Sequence, residues 1–201
     1  MTLGSNTSGH LFDTSFTTNG VLYSANSGVI TSTSAGTATY VLTSNGSGSA
    51  PTFQPAPVAL FQAYLSATAT NVSGDGTVYT IAFNSTAWNV GSCFNTGTYT
   101  FTAPTTGKYL FTGTTWSTDF TVAHTQAYQL LVTTGGNYNL YSVNPYVVAG
   151  NGTLQLSWSA TVSMSSGNTA TLSYGAVGGT KIVDIAGTQG ATTFSGSYIS
   201  V

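Results

Sequence analysis

The side chains able to carry ionic or acid–base chemistry in this chain are few enough to name. Asp13, Asp75, Asp119, Asp184, Lys108 and Lys181 are its six charged residues, and its 201 positions hold no Glu and no Arg. Soluble domains are about one quarter charged, whereas this chain is 3% charged. Two lysines cannot form the basic stripe that displaces counterions from nucleic acid or the polybasic patch that holds a membrane surface. No apolar run reaches the ~18–20 residues of a membrane-spanning helix. Residues 1–19 have neither the basic start nor the apolar stretch of a signal peptide, so none is expected.

Catalysis finds little to work with. His124 follows Asp119 by five residues among abundant serines, so a Ser–His–Asp hydrolase is conceivable, but no Gly-x-Ser-x-Gly elbow exists to present a nucleophile. The chain is read as a non-enzyme. Cys93 is the single cysteine; it lies in Gly91-Ser92-Cys93-Phe94 as a small apolar residue at a strand end, without a sequence neighbour to activate it. Asn71-Val72-Ser73-Gly74-Asp75-Gly76 has the flavour of a calcium loop, yet one carboxylate falls short of the usual ligand charge. No metal and no cofactor are expected. The remaining chemistry is neutral: Trp88, Trp116, Trp158 and twelve Tyr, set among hydroxyls and amides. Such groups suit sugar recognition by stacking and uncharged hydrogen bonds. Trp116, Asp119, Tyr138 and Tyr141 are the ligand-binding candidates, with Asp75 as a fifth.

The elements that must position these residues are strands. Val78-Tyr79-Thr80-Ile81-Ala82-Phe83, Tyr99-Thr100-Phe101 and Tyr109-Leu110-Phe111 alternate, and similar runs follow at 127–132, 139–143, 153–158, 170–174, 181–185 and 193–201. Glycine-rich turn signals separate them, as at Gly135-Gly136-Asn137, Asn151-Gly152 and Ser166-Gly167-Asn168. No segment carries a 3.6-residue stripe, so no helix is expected. Pro51, Pro55 and Pro57 mark a change of character, giving a segment 1–57 and a domain 58–201. In the first, Val21-Leu22-Tyr23-Ser24-Ala25-Asn26-Ser27-Gly28 is echoed 20 residues later by Val41-Leu42-Thr43-Ser44-Asn45-Gly46-Ser47-Gly48. Isolated apolar pairs of this kind make a core only by meeting neighbouring copies. The segment is read as a short β-rich fibre stalk.

From Val58 onward the order of motifs resembles a known family, the globular heads of the complement first component's collagen-tailed subunit, which share the tumour-necrosis-factor jelly roll. Val58-Ala59-Leu60-Phe61-Gln62-Ala63-Tyr64-Leu65 resembles the opening strand, Trp88-Asn89-Val90-Gly91 and Phe94-Asn95 the next hairpin, and Thr193-Phe194-Ser195-Gly196 the closing strand. Phe101-Thr102-Ala103-Pro104-Thr105-Thr106-Gly107-Lys108-Tyr109-Leu110-Phe111 is the strongest match, with residues 102–108 read as a hairpin corner. No collagen run precedes the head. Residues 41–54 instead resemble repeats of bacterial, phage or viral fibre proteins.

The resemblance implies an all-β, ten-stranded jelly-roll sandwich that forms a homotrimer, with Phe61, Tyr64, Phe101, Tyr109, Phe111, Phe194 and Tyr198 as core or trimer-interface aromatics. Members of the family bind calcium near their trimer apex, where three copies of Asp75 could meet. The function implied is a surface or tail fibre head, extracellular or on a cell or virion, acting in adhesion or receptor recognition of a glycan or a cell-surface protein through apex loops or the grooves between subunits. A purely structural trimerisation cap is the first alternative. An ice- or mineral-facing Thr array, as in Thr98-Tyr99-Thr100, and the hydrolase follow.

Overall fold

In the computed structural model, residues 4–5, 11–12, 16–25, 30–56 and 58–200 are described, and the chain divides into two units, Met1–Ala56 and Pro57–Val201. Asp13 and the repeat residues Asn26 to Gly28 lie outside the described residues. The first unit holds three antiparallel pairs: β1 (Gly4–Ser5) with β2 (Leu11–Phe12), β3 (Leu22–Ser24) with β4 (Ile30–Ser32), and β5 (Tyr40–Thr43) with β6 (Thr52–Pro55). Each copy of the repeat opens a pair, and its apolar residues Val21, Leu22, Val41 and Leu42 stay exposed. A lone two-stranded ribbon has no second layer to bury them against. Its polar residues close the second turn instead: Asn45 donates to the Ala50 carbonyl at 2.6 Å, and Gln54 donates to the Asn45 side-chain oxygen at 3.1 Å.

The second unit is built from two antiparallel sheets. The front sheet contains β7 (Leu60–Tyr64), β8 (Ala69–Ser73), β10 (Ser85–Val90), β13 (Gly107–Thr118), β16 (Leu154–Met164), β18 (Val183–Ile185) and β19 (Thr193–Ser200). The back sheet contains β9 (Val78–Thr80), β11 (Phe94–Asn95), β12 (Thr100–Thr102), β14 (Gln126–Thr133), β15 (Gly136–Val143) and β17 (Thr169–Val177). The long β13 organises the front: β16 pairs along one edge, while β19 and then β18 share the other. Thirteen segments stand where ten strands are expected. Ser92 (φ 50°) and Tyr99 (φ 58°) cut β11 and β12 to two and three residues.

Alternation drives the packing. Tyr109 and Phe111 of β13 point inward and are fully buried, as are Phe61 of β7, Phe101 of β12 and Phe194 of β19. Phe61 stacks on Phe101 at 5.3 Å and meets Phe194 edge-on at 5.1 Å, and Phe101 meets Phe111 edge-on at 5.2 Å. Such pairs add about 0.5–1.5 kcal/mol each beyond their burial. The closing strand accommodates the cluster through Gly196, where a Cβ would lie 2.5 Å from the Phe61 ring and 2.8 Å from that of Phe111. Of the two roles left open for the seven aromatics, these five take the core role within a single protomer. Tyr64 and Tyr198 are half-buried, with Tyr198 edge-on to Tyr109 at 5.5 Å.

Two expectations are corrected. Residues 102–108 are not a hairpin corner: β12 pairs with β11 and β17, β13 with β16, β18 and β19, so the segment crosses from the back sheet to the front. The crossing sets Phe101 opposite Tyr109 and Phe111, and the Tyr109 hydroxyl donates to the Thr105 carbonyl at 2.6 Å to hold it. A helix also exists, α1 (Pro145–Ala149). Asn144 caps it by accepting from the Val147 N–H, Pro145 starts it, and Gly150 (φ 67°) ends it. These end signals outweigh the weak helix preference of its two valines.

Because Phe194 touches Phe61, Phe83, Phe111 and Trp158, Phe194→Ala should cost about 3–5 kcal/mol of stability. Chemical denaturation at a fixed protein concentration checks this; a loss near zero would mean that the rings do not join the sheets.

Candidate functional site

The register of β13 gives the head two ends. Lys108 pairs with Ser200 near one, together with Val58 and the turns at 133–136 and 164–168, while Thr118 pairs with Asp184 at the other. At that far end four segments gather: 73–77, 119–125, 144–153 and 178–184. His124 is the node. It is fully buried; Thr121 N–H donates to its Nδ1 at 2.9 Å, which places the ring hydrogen on Nε2, and Nε2 donates to the Thr180 carbonyl at 3.1 Å. Gly179 N–H donates to the Gly74 carbonyl, and Phe120 N–H to that of Gly152, both at 3.0 Å. A Cβ on Gly74 or Gly179 would run into the imidazole, so the glycines let the loops close on it.

His124 is therefore a structural tie. Neither nitrogen faces a Ser or an Asp, and both are engaged with the Thr121 and Thr180 segments, which overturns the Ser–His–Asp alternative. Cys93 is buried, and burial pushes its thiol above the usual range, away from the reactive thiolate. Among the described residues no three His, Cys, Asp or Glu side chains converge. The Thr98-Tyr99-Thr100 segment turns through a left-handed Tyr99, which removes it as a flat array.

The five ligand candidates do not form one site. Asp75 lies in the far-end turn, where hydrogen bonds from the Thr77 hydroxyl and N–H hold its carboxyl below the ordinary value. Asp119 ends β13 in a left-handed conformation (φ 67°) and accepts from the Thr118 hydroxyl. Trp116 is exposed on the outer face of the front sheet. Tyr138 is exposed on β15 towards the opposite end, and Tyr141 faces inward with its hydroxyl buried, closed to a ligand. Of the other two tryptophans, Trp158 is core and Trp88 is exposed. Sequence pattern did not single out Val122, Tyr146, Val147 and Val148, all exposed at the far end. The helix-end pattern Asn144-Pro145…Gly150 was the signal for three of them.

The front sheet offers a second surface. Across β7, β10, β13, β16 and β19 the only charged residue is Lys108. Leu60, Trp88 and Leu110, with Thr112, Ser195 and Ser197, line a shallow hollow of about 140 Å³ on the outer face.

No protein-family profile and no curated protein matches the chain. Solved structures do. Murine APRIL at pH 8.5 superposes with a TM-score of 0.51 at 10% identity, covering 71% of this chain and 99% of that one. The Eiger TNF of S. frugiperda superposes with 0.52 at 16%, covering 73% and 94%. The globular domain of the zebrafish complement 1qA protein gives 0.47 at 17%, covering 70% and 97%. The head has the tumour-necrosis-factor-like jelly-roll fold. The jelly roll implied by the resemblance is thus borne out at the level of fold.

Within this jelly roll, Tyr174 donates from its hydroxyl to Ser117 at 3.0 Å, and burial raises both Tyr174 and Tyr141 above the ordinary phenol value of 10.0. The unfolded chain then loses these protons at lower pH than the folded one. Their contribution is fully present below about pH 10 and fades as pH rises beyond it. Urea midpoints should hold steady to about pH 9 and fall above pH 10, with a shallower fall in Tyr174→Phe; equal slopes in both proteins would contradict the assignment.

Proposed function

We propose that the chain is the head and part of the stalk of a homotrimeric surface or tail fibre, extracellular or on a cell or virion, that recognises a receptor without catalysis. The observation that carries this reading is the neutral outer face of the front sheet. Leu60 and Trp88 are 42% and 45% exposed there, Val90 and Ile199 are also exposed, and no carboxylate lies on β7, β10, β13, β16 or β19. An apolar surface of this kind in a chain with so few charges calls for a partner. A second and third copy suit it because each face brings a single charge, Lys108 near the Ser200 end, whose long side chain can keep its ammonium in water.

The magnitudes favour association. Obligate interfaces bury upwards of ~2,000 Å², which at ~25 cal/mol/Å² gives ~50 kcal/mol gross against an association cost of ~4–15 kcal/mol. The same logic extends to the first unit, where both apolar pairs of the repeat stand exposed on separate strand pairs. Receptor recognition falls to loops at the end of the head away from Val58 and Ser200, where three copies of a weak site act together.

Sedimentation or light scattering should give three times the chain mass of 20.5 kDa. Trp88→Asp combined with Leu60→Asp should shift the head toward monomer with its β circular-dichroism signal kept, since both side chains point away from the core. A wild-type mass of one chain would sink the trimer reading.

A further inference from the structure

The turns at the end of the head nearest Val58 and Ser200 are small and polar: Thr133-Thr134-Gly135-Gly136 and Ser165-Ser166-Gly167-Asn168. The connection at the opposite end is built differently. The one-turn helix α1 seats Pro145 as a buried residue and packs Ala149, four positions on, against the core. That spacing turns Tyr146, Val147 and Val148 outward. Val147 is 80% exposed and Val122, in the neighbouring loop, 72%, the two highest values among the described large apolar side chains. The Asn144 cap, Pro145 and Gly150 fix the helix, and the Phe120 N–H to Gly152 carbonyl bond ties its loop to the one carrying Val122. The apolar groups are thus presented on a pre-formed support, which lowers the ordering cost of any contact they make.

Charge gathers at the same end. Asp75, Asp119, Lys181 and Asp184, four of the chain's six charged residues, belong to the segments joined around His124. Asp119 and Val122, both exposed, lie three residues apart in the same loop, so a carboxylate shares the segment that carries one of the apolar groups. Three acids against one lysine leave this end net negative, beside strands that carry almost no charge.

We infer that Val122, Tyr146, Val147 and Val148 form a docking knob for a protein partner, one that offers an apolar pocket with Lys or Arg on its rim facing Asp119 and its acidic neighbours. Tyr146 is the one aromatic of the four; the three valines, which include the two most exposed members, have no aromatic face to stack on a sugar and no donor for its hydroxyls, but bury well against apolar side chains. The complementary rim follows from the acidic border and sets orientation and encounter rate. This deepens the reading of the head as a receptor-recognition module by making the receptor a protein.

The test uses the full chain, immobilised and panned against a phage-displayed library of random peptides, with its mass followed in parallel by light scattering. Enriched peptides should combine apolar residues with Lys or Arg. They should bind Val147→Ser/Val148→Ser at least tenfold more weakly, the scale expected for losing central apolar anchors. Their binding should weaken as salt is raised to about 1 M, and Asp119→Asn should flatten that salt response. Thermal melting should be unchanged in both variants because the altered groups are exposed. Peptides that bind wild type and the double variant equally, enrichment no greater than on a bare support, or retention of a neutral glycan array unaffected by the double variant would each overturn the proposal. A mass of six chains that returns to three in the double variant would assign the knob to a second trimer and overturn it as well. A one-chain mass would instead defeat the trimer reading, leaving the peptide comparison to decide the knob.

Discussion

Everything in the head depends on an aromatic seam between two sheets that carry almost no charge. Phe101 comes from the back sheet; Phe61, Tyr109, Phe111 and Phe194 come from the front, at ring separations near 5 Å. Sheets packed face to face stand about 10 Å apart, a gap these rings fill from both sides. Two local features permit the seam. Gly196 removes the side chain that would strike Phe61 and Phe111, and the crossing at 102–108, latched by the Tyr109 hydroxyl, carries the chain from one sheet to the other. Once the seam fixes the sheets, the register of β13 fixes which loops share an end.

The scarcity of charge then divides the surface into regions with different uses. Hydroxyls and the large apolar side chains Leu60, Trp88 and Leu110 line the outer face of the front sheet, where Lys108 is the one charge on β7, β10, β13, β16 and β19. Four of the six charges are held at the far end, around a histidine whose nitrogens serve the Thr121 and Thr180 segments. Specificity against the wrong partner is most easily built where charge sits beside apolar groups, because a mismatched partner leaves one or the other unsatisfied. On the proposed reading the two surfaces take different tasks, one assembly and one recognition.

Much of this was legible in the residues. Period-two runs located most strands, and the resemblance of the motifs around Phe61, Phe101–Phe111 and Phe194 to the complement-head family pointed to the jelly roll; these aromatics are the ones that fill the core. Three features were not legible. Alternation reports which side of a strand faces inward but not which sheet the strand joins, so residues 102–108 read as a hairpin. A single helical turn is too short for a 3.6-residue stripe, and α1 shows only in its end residues, Asn144, Pro145 and Gly150. The ligand candidates were chosen by chemical type, and type does not say which end of the sandwich a side chain reaches; Tyr141 turned its hydroxyl inward, while Val147 and Val148, between the runs at 139–143 and 153–158, were not candidates at all.

The claim that joins these points is that the neutral face is covered by copies of the chain while the far end stays open. Hydroxyl-radical footprinting of the intact protein in solution tests it directly, since Trp88 and Leu60 lie on the first surface and Tyr146 on the second. The account predicts slow oxidation of Trp88 and Leu60 and fast oxidation of Tyr146. Oxidation of Trp88 as fast as that of Tyr146 would show the front face open to water and contradict it.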